Sequence, residues 1–271
     1  MNTSGNTILI TGGTSGIGFE LAAEFLKLGN TVIITGRDQR RFEDTQQKLP
    51  GVHTFQSDVS DPKAIPALFE AVIKKFPALN VLVNNAGIMR KINLQDRMNR
   101  TGNGAATALQ DIGREIETNL LGPIRMVQQF LPHLKVVNNA AIVNVTSGLA
   151  FVPLPIAPIY CATKAGLHSF TQSLRVQLKN TSIKVFELAP PATQTPLLTT
   201  EGFTAEDMKG AQIMDLHKMV AVAIDGLKND RLEIRPGQSN ILKLMSRIAP
   251  QFILNQLSKS VDPMLAQAGS H

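Results

Sequence analysis

Tyrosine and cysteine are nearly missing from this chain, with one of each in 271 residues. A lone cysteine, Cys161, excludes an intramolecular disulfide, and no Cys/His cluster has zinc-ligand spacing, so no metal site is expected. No run of about 18 uncharged apolar residues is present, which excludes a membrane-spanning helix. The opening Met1-Asn2-Thr3-Ser4-Gly5-Asn6 has neither a basic leader nor a long apolar core. A secretory signal is therefore not expected, and the chain reads as cytoplasmic. Internal linkers, low-complexity tracts and solenoid repeats are lacking too. The net charge of +6 is scattered along the chain and accompanied by no nucleic-acid motif. It reads as a solvated surface, with no nucleic-acid partner.

What is present is an ordinary globular composition, 43% apolar, with ample material for a core. Short β-branched runs alternate with longer amphipathic stretches. Strands are expected at Thr7–Thr11, Thr31–Thr35, Val52–Gln56, Val81–Asn84, Ala141–Thr146 and Ile183–Leu188, with a seventh at Arg231–Arg235. Their near-continuous apolar character fits strands buried on both faces of a parallel sheet. Helices fill the gaps, among them Gly16–Leu28, Pro62–Lys75, Ala157–Asn180 and Asn240–Ser258. This rhythm predicts one α/β domain over residues 1–271, a doubly wound parallel sheet of about seven strands with helices on both faces. Two segments interrupt it. Arg90–Thr107 is polar, with Gly102, Asn103 and Gly104 together, and reads as an exposed insertion. The stretch at about 190–215 carries Pro190, Pro191, Pro196 and Gly202 and reads as a substrate loop.

Directly after the first strand comes Thr11-Gly12-Gly13-Thr14-Ser15-Gly16-Ile17-Gly18, leading into a helix. Glycines there permit a tight turn and close approach of backbone to a pyrophosphate, which sits on free N–H groups at the helix N-terminus. The second strand ends Ile34-Thr35-Gly36-Arg37, with no acid at its tip to hold a ribose 2′-hydroxyl. Arg37 is placed to accept a 2′-phosphate, which favours NADP over NAD, with Asp38 as the counterweight. Further along, Tyr160 stands four places before Lys164, on one face of a helix. A phenol beside an ammonium is a tuned proton donor, and the cation is expected to lower its pKa.

The Thr-Gly-x-x-x-Gly-x-Gly segment, Asn84-Asn85-Ala86-Gly87 after the fourth strand, and Tyr160-x-x-x-Lys164 together resemble the short-chain dehydrogenase/reductase family. Ser147 at the end of the fifth strand and Asn119 before it fall in the same order, and the resemblance covers about residues 5–195. Val145-Thr146-Ser147-Gly148-Leu149-Ala150 and Ala189-Pro190-Pro191 resemble a subgroup of bacterial oxidoreductases, some associated with teichoic-acid D-alanylation operons. The resemblance implies a Rossmann fold and hydride transfer between nicotinamide and a carbonyl or alcohol. It implies that Tyr160 exchanges the proton, and that Lys164 lowers the phenol's pKa and binds the nicotinamide ribose. It implies further that Ser147 polarises the carbonyl and that Asn119 holds a water leading to Lys164. For the cofactor it implies Gly12, Thr14, Ser15, Gly16, Ile17 and Gly18 at the pyrophosphate and Asp58 and Val59 at the adenine. Asn85, Ala86 and Gly87 would lie along the adenine ribose, and Pro190 and Thr195 near the nicotinamide. It also implies a homodimer or homotetramer.

The chain departs from that family at Pro190-Pro191, where Pro-Gly is usual, and in the apolar stretch Ile241–Leu257. Phe151, Val152, Leu154, Leu197, Leu198, Phe203 and Met208 are expected to line the substrate pocket, with no basic residue before Lys209. That composition fits a moderately apolar ketone, aldehyde or secondary alcohol. Cys161 and His53, His133, His168 and His217 read as structural. The competing function is a non-catalytic NAD(P)-binding regulator or scaffold on the same fold; an epimerase or dehydratase fits the glycine spacing less well.

Overall fold

The computed structural model describes residues 1–94, 104–199, 203 and 212–262. The elements follow in chain order: β1 Thr7–Thr11, α1 Gly16–Lys27, β2 Thr31–Gly36, α2 Gln39–Lys48, β3 His53–Gln56, α3 Ala64–Lys75 and β4 Leu79–Asn84. After these come α4 Gly104–Ile116, a π-helical turn Glu117–Leu121, α5 Gly122–Leu134, β5 Ala141–Val145 and a 3₁₀ turn Gly148–Ala150. The remainder is α6 Pro158–Gln177, β6 Lys184–Leu188, α7 Pro196–Thr199, α8 Leu216–Lys228, β7 Glu233–Ile234, α9 Ser239–Ile248 and α10 Pro250–Ser258.

All the strand pairings are parallel, in the order β3-β2-β1-β4-β5-β6-β7. The chain winds outward from β1 to β3, then reverses to β4. This topological switch opens a crevice at the carboxyl ends of β1 and β4. Alternation along each strand explains the continuous apolar runs. Ile8, Ile10, Val32, Ile34, Val81, Val83, Val143 and Val145 point to one layer, where Leu21 and Phe25 of α1 and Met219, Val220 and Leu227 of α8 cover them. Leu9, Ile33, Leu82, Ile142 and Val185 point to the other, against Ile65, Leu68 and Val72 of α3 and Met126, Val127 and Phe130 of α5. Each such side chain contributes about 1.5–3 kcal/mol on burial.

At the amino ends of the strands an asparagine network sets the register. Asn30 Oδ1 accepts from the Asn6 N–H at 2.9 Å, and Asn80 Oδ1 accepts from the Thr7 N–H at 2.9 Å. Asn80 Nδ2 donates to Asn6 Oδ1 at 2.9 Å, which closes the set. Buried polar groups that satisfy one another specify a single alignment.

Two expectations change at the C-terminal end. The seventh strand is only Glu233–Ile234, an edge strand paired on one side. The single helix expected over Asn240–Ser258 is two, because Pro250 excludes Ala249 from helical geometry: Ala249 sits at φ −146°, ψ 58°. Of the polar insertion, Arg90–Leu94 is anchored, with the Ile92 N–H donating to the Ile156 carbonyl at 3.0 Å. From Gly104 the chain is already helical. Gly102 and Asn103 lie outside the described residues. Among the described residues no helix is long and apolar enough to cross a membrane, and no group of side chains could hold a metal ion.

Candidate active site

The loop after β1 is built for close backbone approach. Gly12 and Gly16 have φ of +66° and +54°, which side-chain-bearing residues rarely adopt. A Cβ on Gly12 would lie 2.9 Å from Ala86 Cα, and one on Gly18 would lie 2.4 Å from the Gly12 carbonyl oxygen. Thr11 Oγ1 accepts from the N–H groups of Asn85 and Ala86, both at 3.0 Å. Asn85 Nδ2 donates to the Thr11 carbonyl at 2.9 Å. These bonds clamp the loop to Asn84–Gly87. Ser15 caps α1 without a side-chain hydrogen bond, so the first N–H groups of the helix are left to an incoming anion. A crevice of about 1630 Å³ opens here, lined by Gly12, Thr14, Ser15, Gly16 and Ile17 on one side and Asn85, Ala86 and Gly87 on the other. Its size, its glycine cradle and the open helix end fit a dinucleotide.

At the tip of β2, Arg37 is exposed and lines the same crevice with Asp38 and Arg41. Asp38 is already engaged: it caps α2, accepting from the Arg40 N–H at 3.0 Å. Gln56 Nε2 donates to the Arg37 carbonyl at 2.8 Å and fixes the backbone there. Asp58 Oδ1 accepts from the N–H and hydroxyl of Ser60, at 2.9 and 2.7 Å, so it shapes its own turn and does not cap α3. Val59 lines the wall beside it.

Ser147, Tyr160 and Lys164 all reach the crevice, as do Pro190 and Thr195. Gly18 and Asn119 do not line it; they stand behind the wall. Ser147 lies two residues beyond the end of β5 and beside the Tyr160 phenol, whose pKa it lowers, while its Oγ accepts from the Leu149 N–H at 3.1 Å. Lys164 follows on the same face of α6, with Nζ donating to the Val145 carbonyl at 2.9 Å and lying 5.6 Å from the centre of the Tyr160 ring. Asn119 is wholly buried in the π-helical turn, a distortion common at functional sites. It grips Ile88 from both sides, accepting from its N–H at 2.8 Å and donating to its carbonyl at 2.7 Å. A Cβ on Gly87 would come within 3.3 Å of Asn119 Oδ1 and 3.5 Å of Lys164 Nζ.

The electrostatics differ from the expectation drawn from spacing. Burial pushes the Tyr160 phenol well above the ordinary tyrosine range; the Ser147 hydrogen bond pulls it down, and Cys161 and Glu115 push it up. Burial also pushes Lys164 down, to about 8, against the attraction of Glu115. Spacing brought the two side chains together, but Nζ lies over the ring and bonds a carbonyl, not the phenol oxygen. In the cofactor-free protein desolvation therefore outweighs the cation.

The apolar end of the crevice is formed by Met89, Leu149, Leu154, Leu197 and Leu198, closed by Leu242, Ile253 and Leu257 from α9 and α10. Phe203 packs against the small cluster around Met89, Ala157 and Tyr160. Phe151 and Val152 are not part of the wall: Phe151 sets its edge on His168 at 5.1 Å, and Val152 is buried. Met208 and Lys209 lie outside the described residues. Leu242, Ile253 and Leu257 come from the apolar stretch Ile241–Leu257, whose composition alone does not separate a wall of the site from packing on the sheet. Cys161 packs at Leu154, whose N–H reaches Sγ at 3.2 Å, and burial holds its thiol up at about 11, far from a nucleophile. His133 Nε2 donates to the Leu79 carbonyl at 2.9 Å, and His53 packs at a tilt against Phe76, ring centres 4.7 Å apart. His217 pairs with Glu20, and His168 with Glu187.

Known proteins agree with this geometry. The family model for short chain dehydrogenases matches residues 6–205. The chain is 45% identical over 243 residues to the uncharacterized oxidoreductase DltE of Bacillus subtilis, covering 86% of this chain and 89% of that relative. A short chain dehydrogenase of Burkholderia cenocepacia, solved with NADP, shares the fold at a TM-score of 0.77 and 22% identity, over 95% of this chain and 99% of the other. The 3-ketoacyl-(acyl-carrier-protein) reductase of Brucella melitensis, complexed with NADH, follows at 0.74 and 28%, over 88% of this chain and all (100%) of that one. The chain belongs to the short-chain dehydrogenase/reductase family, in the subgroup of the Bacillus subtilis oxidoreductase, and is an NAD(P)-dependent enzyme of that family acting on CH–OH/C=O groups.

Proposed function

We propose that this enzyme is an NADP-dependent reductase of moderately apolar ketones or aldehydes, or a dehydrogenase of the corresponding secondary alcohols. The observation that carries the proposal is that Ser147, Tyr160 and Lys164 line the crevice together, between its glycine cradle and its apolar end. The nicotinamide, when bound, supplies or accepts the hydride. Tyr160 gives its phenolic proton to the carbonyl oxygen in reduction and takes it back in oxidation. Ser147 donates to that oxygen and orients it. Lys164 holds the nicotinamide ribose and, once that neighbour is seated, favours the phenolate. Asn119 acts as a positioning residue that fixes Ile88 beside Gly87. Gly12–Ile17 receive the pyrophosphate, Asp58 and Val59 the adenine, Asn85–Gly87 the adenine ribose, and Pro190 and Thr195 the nicotinamide.

Support for NADP comes from β2. Arg37 is exposed on the crevice, and the Asp38 carboxylate is already engaged in capping α2 at the Arg40 N–H. Support for an apolar substrate comes from Met89, Leu154, Leu197, Leu242 and Leu257. A cytoplasmic location and a homodimeric or homotetrameric state belong to the same proposal, on the strength of the family.

The test is NADPH oxidation across a panel of ketones and aldehydes. Tyr160→Phe is expected to lower kcat about a thousandfold with NADPH affinity retained. Turnover that survives the substitution removes Tyr160 from its role. Arg37→Ala is expected to raise the KM for NADPH about tenfold and leave that for NADH unchanged; equal use of both cofactors by the wild type overturns the NADP assignment.

A further inference from the structure

One face of α6 carries Tyr160, Lys164 and His168 at successive four-residue steps. Tyr160 lines the crevice with Ser147, and Lys164 Nζ donates to the Val145 carbonyl. The third reaches Glu187, a carboxylate with 0% exposure at the heart of β6. His168 Nδ1 lies 2.9 and 2.8 Å from the two carboxylate oxygens, and Thr146 Oγ1 donates to Oε1 at 2.7 Å. A carboxylate only accepts, so Nδ1 carries the proton it offers. A carboxylate without such donors is strongly disfavoured in a buried site, so the group needs a structural or functional reason. Its place supplies one, since Thr146 immediately precedes Ser147.

Other bonds stitch the same strand end. Asn144 Nδ2 donates to Thr171 Oγ1 at 2.9 Å. The Thr146 N–H donates to the Leu188 carbonyl at 2.8 Å, and the Gly148 N–H to the Pro190 carbonyl at 2.7 Å. Thr146 is the one residue of this run whose side chain is fixed to α6 through an intermediary. Phe151 closes the outer edge of the imidazole at 5.1 Å, and Lys243 of α9 lies 5.2 Å from the centre of the Phe151 ring.

We propose that the His168–Glu187 pair is a positioning device for the reaction: acting through Thr146, it holds the end of β5 against α6 so that Ser147 and Tyr160 address one substrate oxygen together. This rests on the roles assigned to Ser147 and Tyr160 above. His168 and Glu187 do not line the crevice. They set the distance between two groups that do, and small misplacements of such groups are costly in rate.

The chain itself offers a probe independent of activity. Tyr160 is its only tyrosine, so isotope-labelled tyrosine gives a single set of ring resonances, whose Cζ shift reports the setting of the phenol beside Ser147. In His168→Ala we expect kcat to fall about tenfold with the Kd for NADPH unchanged, and the Tyr160 Cζ resonance to move. His168→Asn, which keeps a donor near the place of Nδ1, is expected to recover kcat to within about twofold of wild type. The proposal is overturned if His168→Ala keeps wild-type kcat and an unmoved resonance, or if kcat and NADPH affinity fall in the same proportion. Should His168→Ala not fold, Thr146→Val removes the linking hydroxyl at constant volume and is read against the same outcomes. A wild type without turnover on any carbonyl would count against the enzymatic proposal, and the Cζ resonance would still decide this one.

Discussion

Lys164 shows what it costs to bury one charged side chain. Only 3% exposed, it is held down to about 8 from the ordinary 10.5 by burial. A lysine whose folded pKa lies below its unfolded value makes the unfolded chain the better proton binder between those two pH values. Folding stability from this group therefore rises as pH climbs from about 8 to 10.5, and below about 8 the full penalty applies. The penalty is on the order of 3 kcal/mol, against about 1 kcal/mol gained from the Val145 hydrogen bond. Lys164→Met is thus expected to abolish turnover yet unfold at a higher temperature than wild type at pH 7, with the gap closing toward pH 10.5. Thermal denaturation across that range checks it, and a variant less stable at pH 7 would refute the burial argument. The same residue marks a boundary of legibility. Four-residue spacing announced that Tyr160 and Lys164 are neighbours, because helical periodicity fixes Cβ directions. It did not announce the direction of the phenol's shift, because rotamer and desolvation decide that. His168 and Glu187 were opaque for a related reason: their contact joins α6 to β6, and no local spacing encodes it.

Elements were legible where burial on both faces writes a continuous apolar run, as in Ile8–Ile10 and Val81–Val83; the start of β4 at Leu79 was hidden by Asn80. They were less so where one signal masked another. The apolar stretch from Ile241 to Leu257 hid the break that Pro250 imposes on Ala249. The passage from β1 into the first turn of α1 was legible to the residue, because Gly12, Gly16 and Gly18 answer separate steric demands. Gly18 has the sharpest of them: a methyl group there meets the Gly12 carbonyl and Asn85 Nδ2, each at 2.4 Å. Backbone cannot retreat as a flexible side chain can, so α1 must shift away from Asn85. Gly18→Ala is expected to cost about 1–3 kcal/mol of stability and to lower NADP(H) affinity at least about tenfold. Gly113 on α4 is the contrast, with nothing within 4 Å of its would-be Cβ. Gly113→Ala is expected to stabilise the protein by up to about 1 kcal/mol through helix propensity and leave cofactor binding unchanged. Melting curves and fluorescence titration with NADPH separate the two cases; a Gly18→Ala protein with wild-type affinity would show that the loop and α1 are not rigidly coupled.

Across the whole molecule the crevice divides its labour between two differently held regions. The cofactor end is made of strand ends and loops locked by buried hydrogen bonds between β1, β4 and β5. The apolar end is closed by α9 and α10, which are attached lightly. On α9 only Ser239 and Lys243 are buried, and α10 buries no residue. Lys243 supplies the principal anchor, pairing with Glu233 and lying over Phe151. Ile241, Leu244, Ile248 and Phe252 remain more than half exposed, at 59%, 58%, 66% and 56%. A wall that contributes little to the core can change without unfolding the sheet, which is where a fold with a fixed reaction adjusts its substrate range. Leu242 and Leu257 face the crevice from the two helices. Removing both as Leu242→Ala/Leu257→Ala deletes apolar contact at the substrate end alone. Each lost side chain is worth about 1–3 kcal/mol to a fitting substrate. The double variant is expected to raise KM for bulky apolar ketones by about tenfold or more while small ketones are affected little and the Kd for NADPH stays at its wild-type value. A uniform loss across all ketones, or a loss of NADPH affinity, would mean that α9 and α10 support the cofactor end as well. The separation of the crevice into a locked half and an adjustable half would then fail.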